Sequence, residues 1–338
     1  MKTKSGKLLH PVALGTLYFG TGIPVDEAQA LLDLYVEKGG NQIDTARSYA
    51  SWMPGGDGAS ERTIGDWLAR QRQQLRADLF IGTKGGLRER GYNCWRCELG
   101  EEAIKTELEE SLSALHTDYI DLYWLHRDNE EIPAGRIVEM MNRLIRTGKI
   151  RYYGLSNWRT VRIREAMDYA DKHGLRQPSA SQIQYGFGIC TREAWGDSTI
   201  VCMNAEEYEA YQKLHIPVYA YSAQSEGYFA ILLEKGAEAL GESVRKKYDC
   251  PENRDRAKRL NEILKRPFYR DLPMALVSPE YIFRSPFPTV VIQGGTNRTR
   301  LSQVMDYGAE PMQIFTEDEW RFILKGRAEE EKQSGGMR

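Results

Sequence analysis

Alternation constrains this chain more than any other feature. Short runs of strand character recur along its 338 residues, and a longer stretch of helical periodicity follows each one. Strands are expected at 13–19, 42–45, 79–83, 119–125, 150–155, 180–185, 218–222 and 290–292. Helices are expected at 26–38, 60–72, 100–115, 135–146, 160–172, 205–214 and 298–305. In 26–38, Ala30, Leu31, Leu34 and Tyr35 share a face and Gly39-Gly40 stops the helix. In 100–115, Ile104, Leu108, Leu112 and Leu115 form one stripe. The run 119–125 is nearly all apolar, as a parallel strand covered on both faces must be.

About eight β/α pairs in one series, without a linker, predict an α/β fold: a single closed (β/α)8 TIM barrel over residues 1–338. A doubly wound sheet is the alternative. It needs G-x-G-x-x-G directly after the first strand, and Gly15, Gly20 and Gly22 do not give that spacing. Two stretches, 186–203 and 226–272, break the rhythm as long insertions, the second highly charged and partly helical. Such insertions favour the strand C-terminal face, where barrels bind their ligands. The polar tail 326–338 is expected to fray.

Composition narrows the function. The 46 Lys and Arg nearly balance the 48 Asp and Glu, for a net charge of −2. No basic excess points to nucleic acid. No apolar run approaches the roughly 18 residues of a transmembrane helix, and no apolar stretch follows the basic start, so neither membrane nor signal peptide is expected. Cys94 and Cys97 have redox or zinc spacing, but no second C-x-x-C follows. The five cysteines therefore read as reduced thiols of a cytoplasmic protein, with no metal site.

On a barrel, polar residues at strand C-terminal ends carry the chemistry. Asp44 ends the second strand and Tyr49 lies in the loop after it; Lys84 ends the third and His126 the fourth. Each alone has an ordinary reading as a solvated strand end. Together they direct an acid, a phenol, an amine and an imidazole to one spot. A tyrosine is a weak acid until an ammonium stabilises its phenolate, and a carboxylate keeps that ammonium charged. An imidazole can orient a carbonyl oxygen. The set suits protonation of a carbonyl oxygen while something else attacks the carbon.

These residues resemble the catalytic tetrad of the aldo-keto reductases. The likeness extends over nearly the whole chain: Asn41-x-x-Asp44-Thr45-Ala46, Ser60-Glu61, Gly148-Lys149-Ile150-Arg151-x-x-Gly154-x-Ser156-Asn157 and Gln182-Ile183 are similar to that family's landmarks, in its order. The resemblance implies a nicotinamide dinucleotide, usually NADPH with NADH possible, extended across the barrel mouth. Ser156, Asn157 and Gln182 match the residues that bond the carboxamide, and Tyr221 the aromatic that stacks on the ring. Gly294-Gly295-Thr296-Asn297, before a helix, suits a phosphate. Arg298 and Arg300 are candidates for the 2′-phosphate, and Gln303 falls near adenine. Thr16, Asp44, Ser222 and Gln224 complete the expected cofactor set.

The sequence departs from the family where Gly294 and Gly295 replace a frequent Lys, Ser or Arg, and where Val304 replaces Asn. It departs again at Gln184, where Glu is common, and at Ala223-Gln224-Ser225-Glu226-Gly227, where Pro-Leu-x-x-Gly is.

Aromatics near the expected mouth, Tyr18, Trp52, Trp95, Trp158 and Trp195, join Arg127 and Asp128 as substrate candidates. Such mixtures suit sugars, polyols or aromatic aldehydes; equally, several of these rings could only pack loops. The loop Met53-Pro54-Gly55-Gly56-Asp57-Gly58 has the composition of a mobile cover. The expected activity is NADPH-linked reduction of a small carbonyl compound, with Tyr49 as proton donor. Two alternatives remain: a Schiff-base lyase using Lys84, and a nucleotide-binding sensor barrel with little turnover.

Overall fold

Eight parallel strands close into a barrel in the computed structural model, which describes residues 1–89, 95–295 and 297–325. The strands are β1 (Val12–Gly15), β2 (Gln42–Asp44), β3 (Phe80–Gly85), β4 (Ile120–Leu125), β5 (Ile150–Ser156), β6 (Ser181–Gln184), β7 (Val218–Tyr221) and β8 (Thr289–Gly294). Neighbours in sequence are neighbours in space, and β1 closes on β8 through Val12↔Val291 to Gly15↔Gly294. Cys94, Thr296 and the tail 326–338 lie outside the described residues, as do the side chains of Arg88, Glu89, Trp95 and Arg96.

Alternate residues of the strands fill the interior. Ala13, Phe80, Leu122, Trp124, Ala180, Tyr219 and Ile292 form one cluster there. Trp124 is the plug, edge-on to Tyr219 at 5.1 Å between ring centroids. Its bulk dictates glycine on the next strand: a Cβ at Gly154 would lie 2.3 Å from the indole. The other strand faces pack against the helices in a second, larger cluster that includes Leu14, Leu31, Ile81, Leu108, Ile120 and Met141.

Helices fall where periodicity predicts, at Val25–Glu37, Ala59–Leu68, Glu101–Ala114, Ala134–Arg146, Thr160–Lys172, Ala205–Leu214 and Arg298–Ala309. The first strand is shorter than expected. It ends at Gly15, and residues 16–19 form a turn closed by the Phe19 N–H on the Thr16 carbonyl. Several elements carry too little periodicity to read. These are the short polar helix Gln73–Asp78, an antiparallel hairpin pairing Leu87–Glu89 with Trp95–Cys97, and the helix Glu317–Lys325.

The charged insertion is more ordered than its composition suggests. Helices Tyr228–Lys235, Glu242–Tyr248 and Pro251–Leu264 wrap an apolar cluster of their own, with Tyr228, Phe229, Tyr248, Leu260 and Trp320. Among the described residues, no helix is long and apolar enough to cross a membrane.

Candidate active site

Parallel closure brings every strand C-terminus to one rim, and the polar residues gather there. Lys84 near the end of β3 is only 1% exposed. Its Nζ donates to Asp44 Oδ2 (2.7 Å), to the Thr45 carbonyl (2.8 Å) and to Tyr49 OH (2.7 Å). An ammonium has three protons, so all are used. Tyr49 in turn donates to Asp44 Oδ2 at 3.0 Å, and Gln182 Nε2 donates to Asp44 Oδ1 at 2.9 Å. Carboxylate, ammonium and phenol therefore form a closed triangle.

Burial pulls Lys84 below the usual lysine pKa, and Asp44 opposes that pull. Burial, reinforced by Asp44, pushes the Tyr49 phenol well above its ordinary value, and the Arg127 charge opposes the rise. The phenol thus holds its proton in the free protein.

His126 follows β4, its backbone N–H on the Gly85 carbonyl at 2.9 Å. The ring meets Tyr49 edge-on, 6.0 Å between centroids. Burial, then the Arg127 and Lys84 charges, hold its pKa well below the histidine value, so the imidazole is neutral. Its Nδ1 pairs with Ser48 Oγ at 3.3 Å. Ser48 is a site residue that the motif reading passed over, although it adjoins Tyr49.

Tyr49 and His126 open on a cavity of about 620 Å³. Thr16, Ser156, Asn157, Gln182, Tyr221, Ser222, Gln224, Gly294, Gly295 and Arg300 line it, as do Tyr18, Trp52, Arg127 and Trp195. Asn157 adopts φ +57°, a left-handed turn that Asn tolerates better than most residues. Its side chain joins three elements: Nδ2 donates to the His126 carbonyl and Ser156 Oγ, and Oδ1 accepts from Tyr221 OH (2.7 Å) and Val201 N–H (3.1 Å). A second cavity of about 250 Å³ shares Gln224, Gly227 and Arg300 with the first and runs on to Asn297, Thr299 and Gln303. Asn297 caps the helix Arg298–Ala309, its Oδ1 accepting the Arg300 N–H at 2.9 Å.

Several expectations are corrected. Trp158 does not reach the cavity. It is fully buried, and the left-handed turn at the preceding Asn157 sends it into the core, with the Arg162 guanidinium 5.1 Å from its ring. Arg298 lines neither cavity, whereas Arg300 lines both. The loop 53–58 is tied down: Arg47 grips Asp57 through both guanidinium nitrogens, and Arg62 donates to the Asp57 carbonyl. A Cβ at Gly56 would fall 1.8 Å from the Ala50 carbonyl oxygen, so only glycine fits. The Trp95 side chain and Thr296 lie outside the described residues. Asp197, Ile200, Leu87 and Glu226 also line the larger cavity, and no motif signalled them.

The model of the aldo/keto reductase family matches residues 11–321. Norsolorinic acid reductase B of Aspergillus parasiticus is 31% identical over 181 residues, 50% of this chain and 45% of that protein. An uncharacterized oxidoreductase of Bacillus subtilis is 29% identical over 302 residues, 87% of this chain and 86% of that protein. An aryl-alcohol dehydrogenase of Pestalotiopsis microspora is 31% identical over 188 residues, 52% of this chain and 47% of that protein. The chain thus spans about half the length of the two fungal relatives and most of the bacterial one.

Proposed function

The chain belongs to the aldo/keto reductase family, and from that premise we propose that it reduces a small aldehyde or ketone to an alcohol with NADPH. The triangle of Asp44, Lys84 and Tyr49, which meets a cavity through the phenol and the carboxylate while the ammonium stays behind them, carries this reading.

The cofactor fits the residues present. Ser156 and Gln182 offer donors and acceptors to a carboxamide, Asn157 would exchange one of its present partners to join them, and Tyr221 supplies an aromatic face beside them. Two cavities that share Gln224, Gly227 and Arg300 continue from the reacting residues to Asn297, Thr299 and Gln303, a course that suits an extended dinucleotide. The second cavity meets a capped helix N-terminus, with Arg300 at the junction of the two, a setting for phosphate. When bound, the reduced nicotinamide supplies a hydride to the carbonyl carbon.

The protein's own residues do the rest. Tyr49 gives its hydroxyl proton to the carbonyl oxygen, exchanging its bond to Asp44 for one to substrate. Lys84, 2.7 Å from the phenol oxygen, stabilises the phenolate that remains. Asp44 keeps Lys84 protonated against its burial. With Ser48 Oγ as donor to Nδ1, one of the two directions this contact allows, the His126 proton sits on Nε2, where it can orient the carbonyl. The aromatic mouth of Tyr18, Trp52 and Trp195 excludes water from the reacting centre. A Schiff-base role for Lys84 is disfavoured, because its nitrogen is saturated by three acceptors and buried behind Tyr49.

Tyr49→Phe tests the assignment. Carbonyl reduction should fall by about 10²–10⁴, with NADPH binding, followed by fluorescence, near wild type. A Phe variant that turns over normally would sink it.

A further inference from the structure

The reductase reading leaves the substrate's chemical class open, and one side chain in the cavity bears on it. Arg127 follows His126 at the end of β4, and only 11% of its side chain is exposed. Among the described residues, three of its five N–H donors are used: Nε on Thr199 Oγ1 (2.9 Å), Nη1 on the His126 carbonyl (2.9 Å) and Nη2 on Asp197 Oδ2 (3.3 Å). Two N–H groups remain on a rigid, buried guanidinium that lines the same cavity as Tyr49 and His126.

A buried arginine in a binding cavity ordinarily suggests an anionic ligand. The surrounding charges argue otherwise. Arg127 is paired with Asp197, whose Oδ1 is fixed by the Thr199 N–H and hydroxyl at 2.8 and 2.6 Å. Another carboxylate lining the cavity, Glu226, is paired with Lys247 at 2.6 Å, and Lys247 lies 4.3 Å from the Trp195 ring. Lys84 is balanced by Asp44 at 2.7 Å. The remaining cation lining the cavity, Arg300, belongs to the stretch shared with the second cavity. Among the described residues near the phenol, then, the charges cancel in pairs, and none of those cations is spare for a carboxylate or phosphate. What is left is a fixed pair of hydrogen-bond donors beside the proton donor.

We propose that the Arg127–Asp197 pair selects neutral carbonyl compounds that carry an oxygen on the carbon next to the carbonyl, that is, 2-hydroxy aldehydes, 2-hydroxy ketones and vicinal dicarbonyls. His126 and Tyr49 meet the reacting oxygen, and Arg127, one residue along the same strand end, meets the neighbouring one. A compound without that oxygen leaves buried N–H groups unpaired. A compound with a carboxylate there meets Asp197.

This inference rests on the reductase reading, and the experiment separates the two. The kcat/KM of lactaldehyde, methylglyoxal, propionaldehyde and glyoxylate is measured for the wild type, Arg127→Met and Asp197→Asn. The wild type should prefer lactaldehyde and methylglyoxal over propionaldehyde by roughly tenfold or more. Arg127→Met should bring that ratio to near one. Asp197→Asn removes the neutralising charge and should raise glyoxylate use relative to propionaldehyde about tenfold, a gain that misfolding cannot produce. Equal use of lactaldehyde and propionaldehyde by the wild type, or a ratio unmoved in Arg127→Met, overturns the inference and leaves the reductase reading standing. Reduction of none of the four with NADPH or NADH counts against both.

Discussion

The barrel buries a carboxylate with cations at each of its two ends. At the N-terminal end, Asp121 near the start of β4 is wholly buried. Its Oδ2 accepts from Arg76 Nη1 (2.8 Å) and the Ile81 N–H (3.0 Å), and its Oδ1 from Arg151 Nη1. The arginines also donate to the carbonyls of Tyr119, Leu79, Lys2 and Thr3, and Arg76 Nε to the Thr117 hydroxyl. Neither Asp121 nor its arginines line either cavity. At the C-terminal end, Asp44 has similar chemistry in a different setting: it lines a cavity together with its donors Tyr49 and Gln182, and Tyr49 can change partners. A buried ion cluster bonded to its own backbone on every side is architecture. The same cluster with one exchangeable proton at a cavity wall is a candidate for catalysis. The cation matters too, because arginine cannot lose its charge and lysine can.

Lys84→Met should break the comparison most severely. It leaves the phenolate without its cation, and carbonyl reduction should fall by about 10²–10⁴. A variant within tenfold of wild type in a steady-state NADPH oxidation assay would mean that Lys84 is no more functional than Arg76.

Glu61 sharpens the comparison from a third side. It is fully buried, its Oε1 accepts from Thr83 Oγ1 at 2.6 Å, and no cation among the described residues is bonded to it; burial pushes its pKa up to about 7. The folded state therefore binds a proton more tightly than the unfolded chain does. Its contribution to stability is full below about pH 4.5 and is lost as pH rises through 7. Glu61→Gln mimics the protonated form, so it should stabilise the protein at pH 8 relative to wild type by up to about 3 kcal/mol and change little at pH 4. Urea unfolding at the two pH values checks this, and an unchanged pH dependence contradicts it.

Much of this was readable in the sequence, for identifiable reasons. The barrel strands are apolar runs spaced by amphipathic helices, so their order followed from pattern alone. Asp44, Lys84 and His126 were legible because a parallel barrel puts strand C-termini on one rim. Directions of side chains were not. Trp158 sits beside two cavity residues in sequence, and only the left-handed φ of Asn157 turns it into the core. Asp197 was invisible because its partner Arg127 is seventy residues earlier, joined to it by folding alone. The hairpin after β3 pairs residues too few and too polar for alternation to show.

Asp44→Asn and Asp121→Asn, each measured for unfolding free energy and for carbonyl reduction per folded molecule, test the contrast between the two ends most directly. Asp121→Asn should lose about 3–5 kcal/mol, because two arginine charges are left uncompensated, and keep its activity. Asp44→Asn should lose less stability, because Lys84 can shed its proton, and lose most of its activity. If Asp121→Asn abolishes reduction in folded protein, or Asp44→Asn leaves it intact, the two ends do not divide architecture from chemistry.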